Sequence, residues 1–169
     1  MQSNQQTRTQ PLYTLEQRRR RDASGWTLVQ GVLAPVQFLE FLISLGLVLR
    51  FLVTGEGQSL ATMSVVVKTF TLYTIMVTGC IWEKVVFDCY LFAPAFYWED
   101  MFSMLVLALH TAYLVALFMG ILSTDALMYL ALAAYGTYVI NAAQFILKLR
   151  AARLGQAQQA AVARQRVAA

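Results

Sequence analysis

Four long apolar runs dominate the chain, at about 26–53, 62–89, 99–122 and 125–150, with short polar breaks between them. Each reaches the roughly 20 residues that a helix needs to cross bilayer hydrocarbon. The breaks hold Thr54-Gly55-Glu56-Gly57, Phe92-Ala93-Pro94 and Ser123-Thr124-Asp125, which are turn and N-cap residues. The pattern predicts an all-α fold: an integral membrane four-helix transmembrane bundle over 26–150. A polar, basic arm (1–25) and an Ala/Gln-rich tail (151–169) flank it. Residues 1–10 and 156–169 are expected to be loosely ordered or to lie at the surface. Asp22 or Ser24 is expected to cap the first long helix, and Pro35 to bend it.

Composition sharpens this. The chain is 59% hydrophobic and 13% charged, against about 25% charged in soluble domains. The N-terminus does not read as a cleavable signal, because a polar stretch and Arg18–Arg21 precede an apolar run that is too long. Lys and Arg cluster in the arm and in the tail (Lys148, Arg150, Arg153), and the loops at 54–61 and 123–125 have none. The positive-inside rule then puts both termini in the cytoplasm. Arg50 and Lys68 run slightly against that pattern. The net charge of +4 fits contact with anionic lipid and gives no reason to invoke nucleic acid. Cys80 and Cys89 have no spacing that suggests zinc or an iron–sulfur cluster.

Polar residues interrupt each run on one face. The first helix carries Gln30, Gln37 and Glu40, within about 80° of one another at 100° per residue. The second carries Lys68, Gly79 and Glu83, the third Glu99, Ser103, His110 and Tyr113, and the fourth Tyr138, Asn141, Gln144 and Lys148. Hydrocarbon offers such groups no partner, so the stripes are expected to turn inward. They are expected to converge on one cavity in the cytoplasmic half, with Glu40 near its floor. Plainer readings exist. Lys84 and Asp88 are spaced as a headgroup-level i,i+4 pair, Glu99 and Asp100 read as N-terminal acids favoured by the helix dipole, and His110 reads as a hydrogen-bonded bundle histidine. Gln30, Asn141 and Gln144 also suit interhelical hydrogen bonding. Glu83 and Glu40 are hardest to dismiss, because a carboxylate at that depth needs a partner. Ala108, Ala112 and Ala116 form a small-residue row that permits a homo-oligomer.

The runs WTLVQGVLAPVQFLEFL (26–42), LYTIMVTGCIWEKVVFDCYLFAPAFYWEDMFSMLVLALHTAYL (72–114) and YVINAAQFILKLRAARL (138–154) closely resemble the vinyl bacteriochlorophyllide hydratases of phototrophic bacteria. The resemblance covers about 12–154. It implies a lyase of bacteriochlorophyll biosynthesis that adds water to the 3-vinyl group of chlorophyllide a or 3-vinyl bacteriochlorophyllide a. The product is the 1-hydroxyethyl pigment, which a later dehydrogenase oxidises. The resemblance implies a chlorophyllide-type substrate, neighbouring pathway enzymes as partners, no cofactor, and no metal beyond the substrate's own magnesium. It carries no residue roles, so these follow from the stripes. Glu83 is expected to supply a proton, and His110, helped by Glu99, to position water. If His110 instead ligates the substrate magnesium, Glu40 is the second catalytic group. Gln30, Gln37, Tyr113, Asn141 and Gln144 are expected to contact the pigment. Lys84 or Arg18–Arg21 would hold its acid side chain, and Tyr90, Phe96, Tyr97 and Trp98 would line the entrance. The alternatives are a non-catalytic pigment-binding or assembly subunit and a small quinone- or haem-binding membrane protein. Bis-histidine haem fails on the single histidine.

Overall fold

The computed structural model describes residues 12–168. Its helices are α1 (Leu15–Ala23), α2 (Gly25–Thr54), α3 (Gln58–Phe87), α4 (Tyr97–Met119) and α5 (Thr124–Ala168). Among the described residues there is no strand. Four segments are long and apolar enough to cross a membrane: Gly25–Thr54, Gln58–Phe87, Tyr97–Met119 and Thr124–Gly155. The all-α class and the four membrane-length helices are as the apolar runs required. The expectation for residues 1–10 lies outside the described residues.

The ends of the chain are more regular than the sequence suggested. Part of the basic arm is a helix of its own, α1, started by a capping box. The Gln17 N–H donates to Thr14 Oγ1 at 3.2 Å, and the Thr14 N–H donates to Gln17 Oε1 at 2.9 Å. Ser24 is extended and its Oγ accepts from the Trp26 N–H at 3.2 Å, so one residue closes α1 and opens α2. Asp22 is instead held by Arg21 at 2.7 Å. The tail continues α5 to Ala168. Alanine, glutamine and arginine favour helix, and only Gly155 interrupts them.

α2 packs along α3 and α4 along α5, and the two pairs close mainly across α2 and α5. α1 lies on the C-terminal end of α3, beside the connection from α3 to α4. That end is called the loop end below. In the half away from it, Val48, Val65, Met128, Tyr113 and Tyr135 are fully buried. The far-end helix termini close on glycines in the left-handed conformation, Gly55 (φ 73°) and Gly120 (φ 62°). Large apolar side chains cover the outside, as with Val53 at 84% and Phe118 at 75% exposed. A soluble monomer rarely shows so continuous an apolar surface, whereas hydrocarbon solvates it.

An aromatic layer crosses the middle of the bundle. Phe41 packs on Tyr138 at 5.1 Å and edge-on to Tyr135 at 5.5 Å. This layer separates an open half at the loop end from a closed polar core beyond it.

Candidate functional site

The site is built on the α3–α4 connection. Asp88 ends α3 in the left-handed conformation (φ 65°), which aspartate tolerates. Phe92 also has positive φ (60°), a conformation that costs a bulky residue about 1–3 kcal/mol. The turn brings two consecutive amides back onto the helices. The Phe92 N–H donates to Asp100 Oδ2 at 2.8 Å, and the Ala93 N–H donates to Glu83 Oε2 at 3.3 Å. The two consecutive amides thus hold the two buried carboxyls, 6% (Glu83) and 5% (Asp100) exposed, beside the same turn. Strain in the loop is thus tied to the holding of a buried dicarboxyl pair.

The pair forms part of the wall of a cavity of about 600 Å³ between α2, α3, α4 and α5. This lies within the range usual for ligand sites, about 300–1,000 Å³. The walls are mostly apolar and aromatic, with Trp82, Phe96, Phe145 and Tyr138 prominent. Tyr13 reaches in from the segment before α1, stacked on Phe87 at 5.7 Å with the Arg21 guanidinium 4.7 Å over its ring. Burial holds the Tyr13 phenol above the usual tyrosine range, and Arg21 opposes the shift. Convergent polar groups are few. Gln30 Nε2 donates to Thr78 Oγ1 at 2.7 Å, Asn141 Nδ2 to Ser103 Oγ at 2.9 Å, and Trp82 Nε1 to Thr27 Oγ1 at 2.9 Å. Six lining residues are also exposed: Gly31, Ala34, Pro35 and Phe38 on α2, and Ile146 and Leu149 on α5. They place the mouth on the side of the bundle, between α2 and α5.

The expected residues divide. Glu83, Gln30, Gln37 and Asn141 line the cavity, as does Phe96. Glu99 does not line it, because its carboxylate is turned to α5, where Lys148 Nζ donates to Oε2 at 2.6 Å. His110 is fully buried beyond the aromatic layer, its Nδ1 2.8 Å from the Val106 carbonyl oxygen, so it does not share a cavity with Glu83. Tyr113 is buried in the same far half. Glu40 lies behind the cavity wall, accepting from Thr71 Oγ1 at 3.0 Å. Gln144 is off the lining, with Oε1 unpartnered among the described residues. Tyr97 and Trp98 point outward at 47% and 68% exposed, and Tyr90 at 61%. Lys84 Nζ donates to the Asp88 carbonyl at 2.8 Å, and the Asp88 carboxylate pairs with Arg20 at 2.6 Å. The expected Lys84–Asp88 ion pair is therefore replaced by a cap and an α1–α3 bridge. Ala116 of the small-residue row is buried, and Ala108 and Ala112 are exposed.

Asp100 is the residue that the stripes misplaced. It lies off the stripe and reads as an N-terminal acid favoured by the helix dipole, yet it faces the cavity. Among the described residues no three His, Cys, Asp or Glu side chains gather as a metal-binding group.

Residues 13–151 match the family described as 2-vinyl bacteriochlorophyllide hydratase (BCHF). The chain is similar to a protein of that name from Cereibacter sphaeroides, 70% identical over 143 residues that make up 85% of this chain and 89% of the relative. It is also similar to one of the same name from Rhodobacter capsulatus, 66% identical over 148 residues, 88% of this chain and 86% of the relative. No solved structure matches.

Proposed function

The chain belongs to the 2-vinyl bacteriochlorophyllide hydratase family, and from that membership we propose that it hydrates the vinyl group of a chlorophyllide-type macrocycle held in the cavity at the loop end. The observation that carries this reading is the Glu83–Asp100 pair at the wall of an otherwise apolar cavity. The relatives' name numbers the vinyl position 2 where the resemblance implied 3. The chemistry of the group is the same under either number.

The reaction is an addition of water across a carbon–carbon double bond. Two carboxyls buried beside one turn cannot both carry a charge cheaply, so the pair holds one proton. The shorter backbone bond, at Asp100, favours the negative charge there and the proton on Glu83. Glu83 then gives its proton to the terminal vinyl carbon, which forms the new C–H bond. The positive charge left on the inner carbon is delocalised into the macrocycle. Water forms the C–O bond at that carbon, and its surplus proton passes to Asp100. Transfer across the pair restores the starting state, so no proton is gained or lost overall. Nothing is oxidised or reduced, so this route calls for no redox cofactor, and magnesium enters only as part of the substrate.

The surroundings suit such a ligand. The lateral mouth between α2 and α5 would admit a flat, apolar macrocycle from the lipid. Arg18 and Arg21 on α1 lie at the loop end, where an acidic side chain of the pigment would emerge. Arg18–Arg21, Lys148, Arg150 and Arg153 gather at that end, and the far-end breaks at 55–57 and 120–123 have no Lys or Arg. This favours both termini in the cytoplasm of a multi-pass protein of the bacterial inner membrane. The pigment, the lipid and neighbouring enzymes of the pathway are the expected partners, and the exposed Ala108 and Ala112 leave room for a second copy of the chain.

The direct test expresses the gene in a phototroph lacking its own hydratase. Restored hydroxyethyl pigment is expected. Accumulated vinyl pigment, with the protein present in the membrane, would contradict the reading. Occupancy of the cavity has a separate check. Gly31 lines it, with open space where a Cβ would lie. In Gly31→Phe the ring enters the cavity without displacing backbone. The pigment KM is expected to rise at least about tenfold, about 1.4 kcal/mol of binding, with the thermal midpoint kept. An unchanged KM would place the pigment elsewhere.

A further inference from the structure

Beyond the aromatic layer lies a second polar cluster that the hydration chemistry above does not use. Lys68 and His110 are both 0% exposed. Lys68 Nζ, His110 Nε2 and Glu40 Oε2 have no hydrogen-bond partner among the described residues. Lys68 and His110 meet on the same tyrosine. Lys68 Nζ lies 4.1 Å from the Tyr138 ring and 5.5 Å from that of Tyr135, and the His110 ring lies 5.9 Å from Tyr135. Glu40 accepts from Thr71, which lies one turn from Lys68 on α3.

The donor and acceptor count points to the occupant. A carbonyl only accepts, so His110 Nδ1 carries a hydrogen toward Val106, and Nε2 of the neutral ring is an acceptor. Glu40 Oε2 is a second acceptor, and the Lys68 ammonium brings three donors. A buried ammonium left without partners costs several kcal/mol. An anion would meet two acceptors and a cation would meet the ammonium, whereas water, both donor and acceptor, satisfies all three groups. Buried waters typically make about three such bonds. The cluster also adjoins the cavity. Tyr138 has Lys68 against its ring and lines the cavity too, and Gln37, one turn from Glu40 on α2, lines it with a buried, unpartnered Nε2.

We propose that Lys68, Glu40 and His110 form a water-binding site behind the aromatic layer, which supplies the water consumed in the cavity by way of Glu40 and Gln37. The supply role rests on the hydratase reading, and the water site does not. Hydration consumes one water per turnover, and the cavity walls are too apolar to hold a store of it. Lys68, Glu40 and His110 act as positioning residues that hold water and do not touch pigment.

Hydroxyl-radical footprinting of the wild-type protein in detergent reads the site without any turnover. Tyr135 (2% exposed) and His110 are expected to be oxidised by radicals formed from bound water. Met128, also 0% exposed and intrinsically more reactive, is expected to be spared. Tyr135 and His110 as unlabelled as Met128 would overturn the site. The supply role is read in Lys68→Met/His110→Leu, which removes a donor and an acceptor, beside His110→Gln, which keeps an acceptor. The double variant is expected to lose the Tyr135 label and at least about tenfold in kcat at unchanged pigment KM, and His110→Gln to retain both. Loss of the label with full kcat would overturn the supply role. A labelled wild-type protein that never hydrates pigment would sink the hydratase reading and leave the water site standing.

Discussion

Glu83→Gln is expected to reduce kcat for vinyl hydration by about 10²–10⁴-fold, the usual contribution of a positioned acid or base. Glutamine keeps the shape and still accepts from the Ala93 amide, so the loop and the cavity should survive. What it lacks is a proton that can be given to carbon. Asp100→Asn is expected to fall in the same range, because the proton from the attacking water then has no carboxylate to receive it. Replacing both should cost little more than either alone, since the two act as one unit. Pigment KM should change little in all three. The measurement is steady-state conversion by purified protein, with pigment absorbance titration as the binding control. A folded Glu83→Gln protein that hydrates at the wild-type rate would remove the pair from the chemistry.

Lys148→Met is expected to lower stability by roughly 3–5 kcal/mol, the usual result of stranding a buried charge. Glu99 is 8% exposed at the side chain and Lys148 27%, with 2.6 Å between Nζ and Oε2. Removing the ammonium leaves the carboxylate in the interior with no counterion. Lys148 Nζ also lies 5.1 Å from the ring of Phe96, a cavity wall residue, so some activity should be lost as well. The double variant Glu99→Gln/Lys148→Met should recover most of the stability, since a buried pair is often replaceable where a single buried charge is not. Thermal unfolding in detergent of wild type, both single variants and the double variant provides the cycle. A Lys148→Met midpoint equal to that of wild type would show the pair to be hydrated and unimportant.

The long helices were legible because length and apolarity alone demand them, and Glu83 was legible because a lone carboxylate at that depth is conspicuous. What failed was resolution around and along each helix. Glu99 and Asp100 differ by about 100° around α4, with Ser103 between them. Periodicity shows that this sector is buried, but not which side of it meets α5 and which the cavity. The α3–α4 loop decides that, through the Phe92 amide, and a positive φ at phenylalanine leaves no signature in sequence. His110 failed on depth. It shares a face with Ser103 but lies about 10 Å further along the axis. The stripe looked continuous, and the aromatic layer that cuts it is assembled from α2 and α5. No pattern within α4 could show it.

Incubation of purified protein with vinyl chlorophyllide in heavy-oxygen water, followed by mass analysis of the pigment, tests the central claim most directly. The expected result is a pigment heavier by one water, with the heavy oxygen in the new hydroxyl group, from wild type and not from Glu83→Gln. Pigment that binds but keeps its mass, or equal conversion by the two proteins, would contradict it.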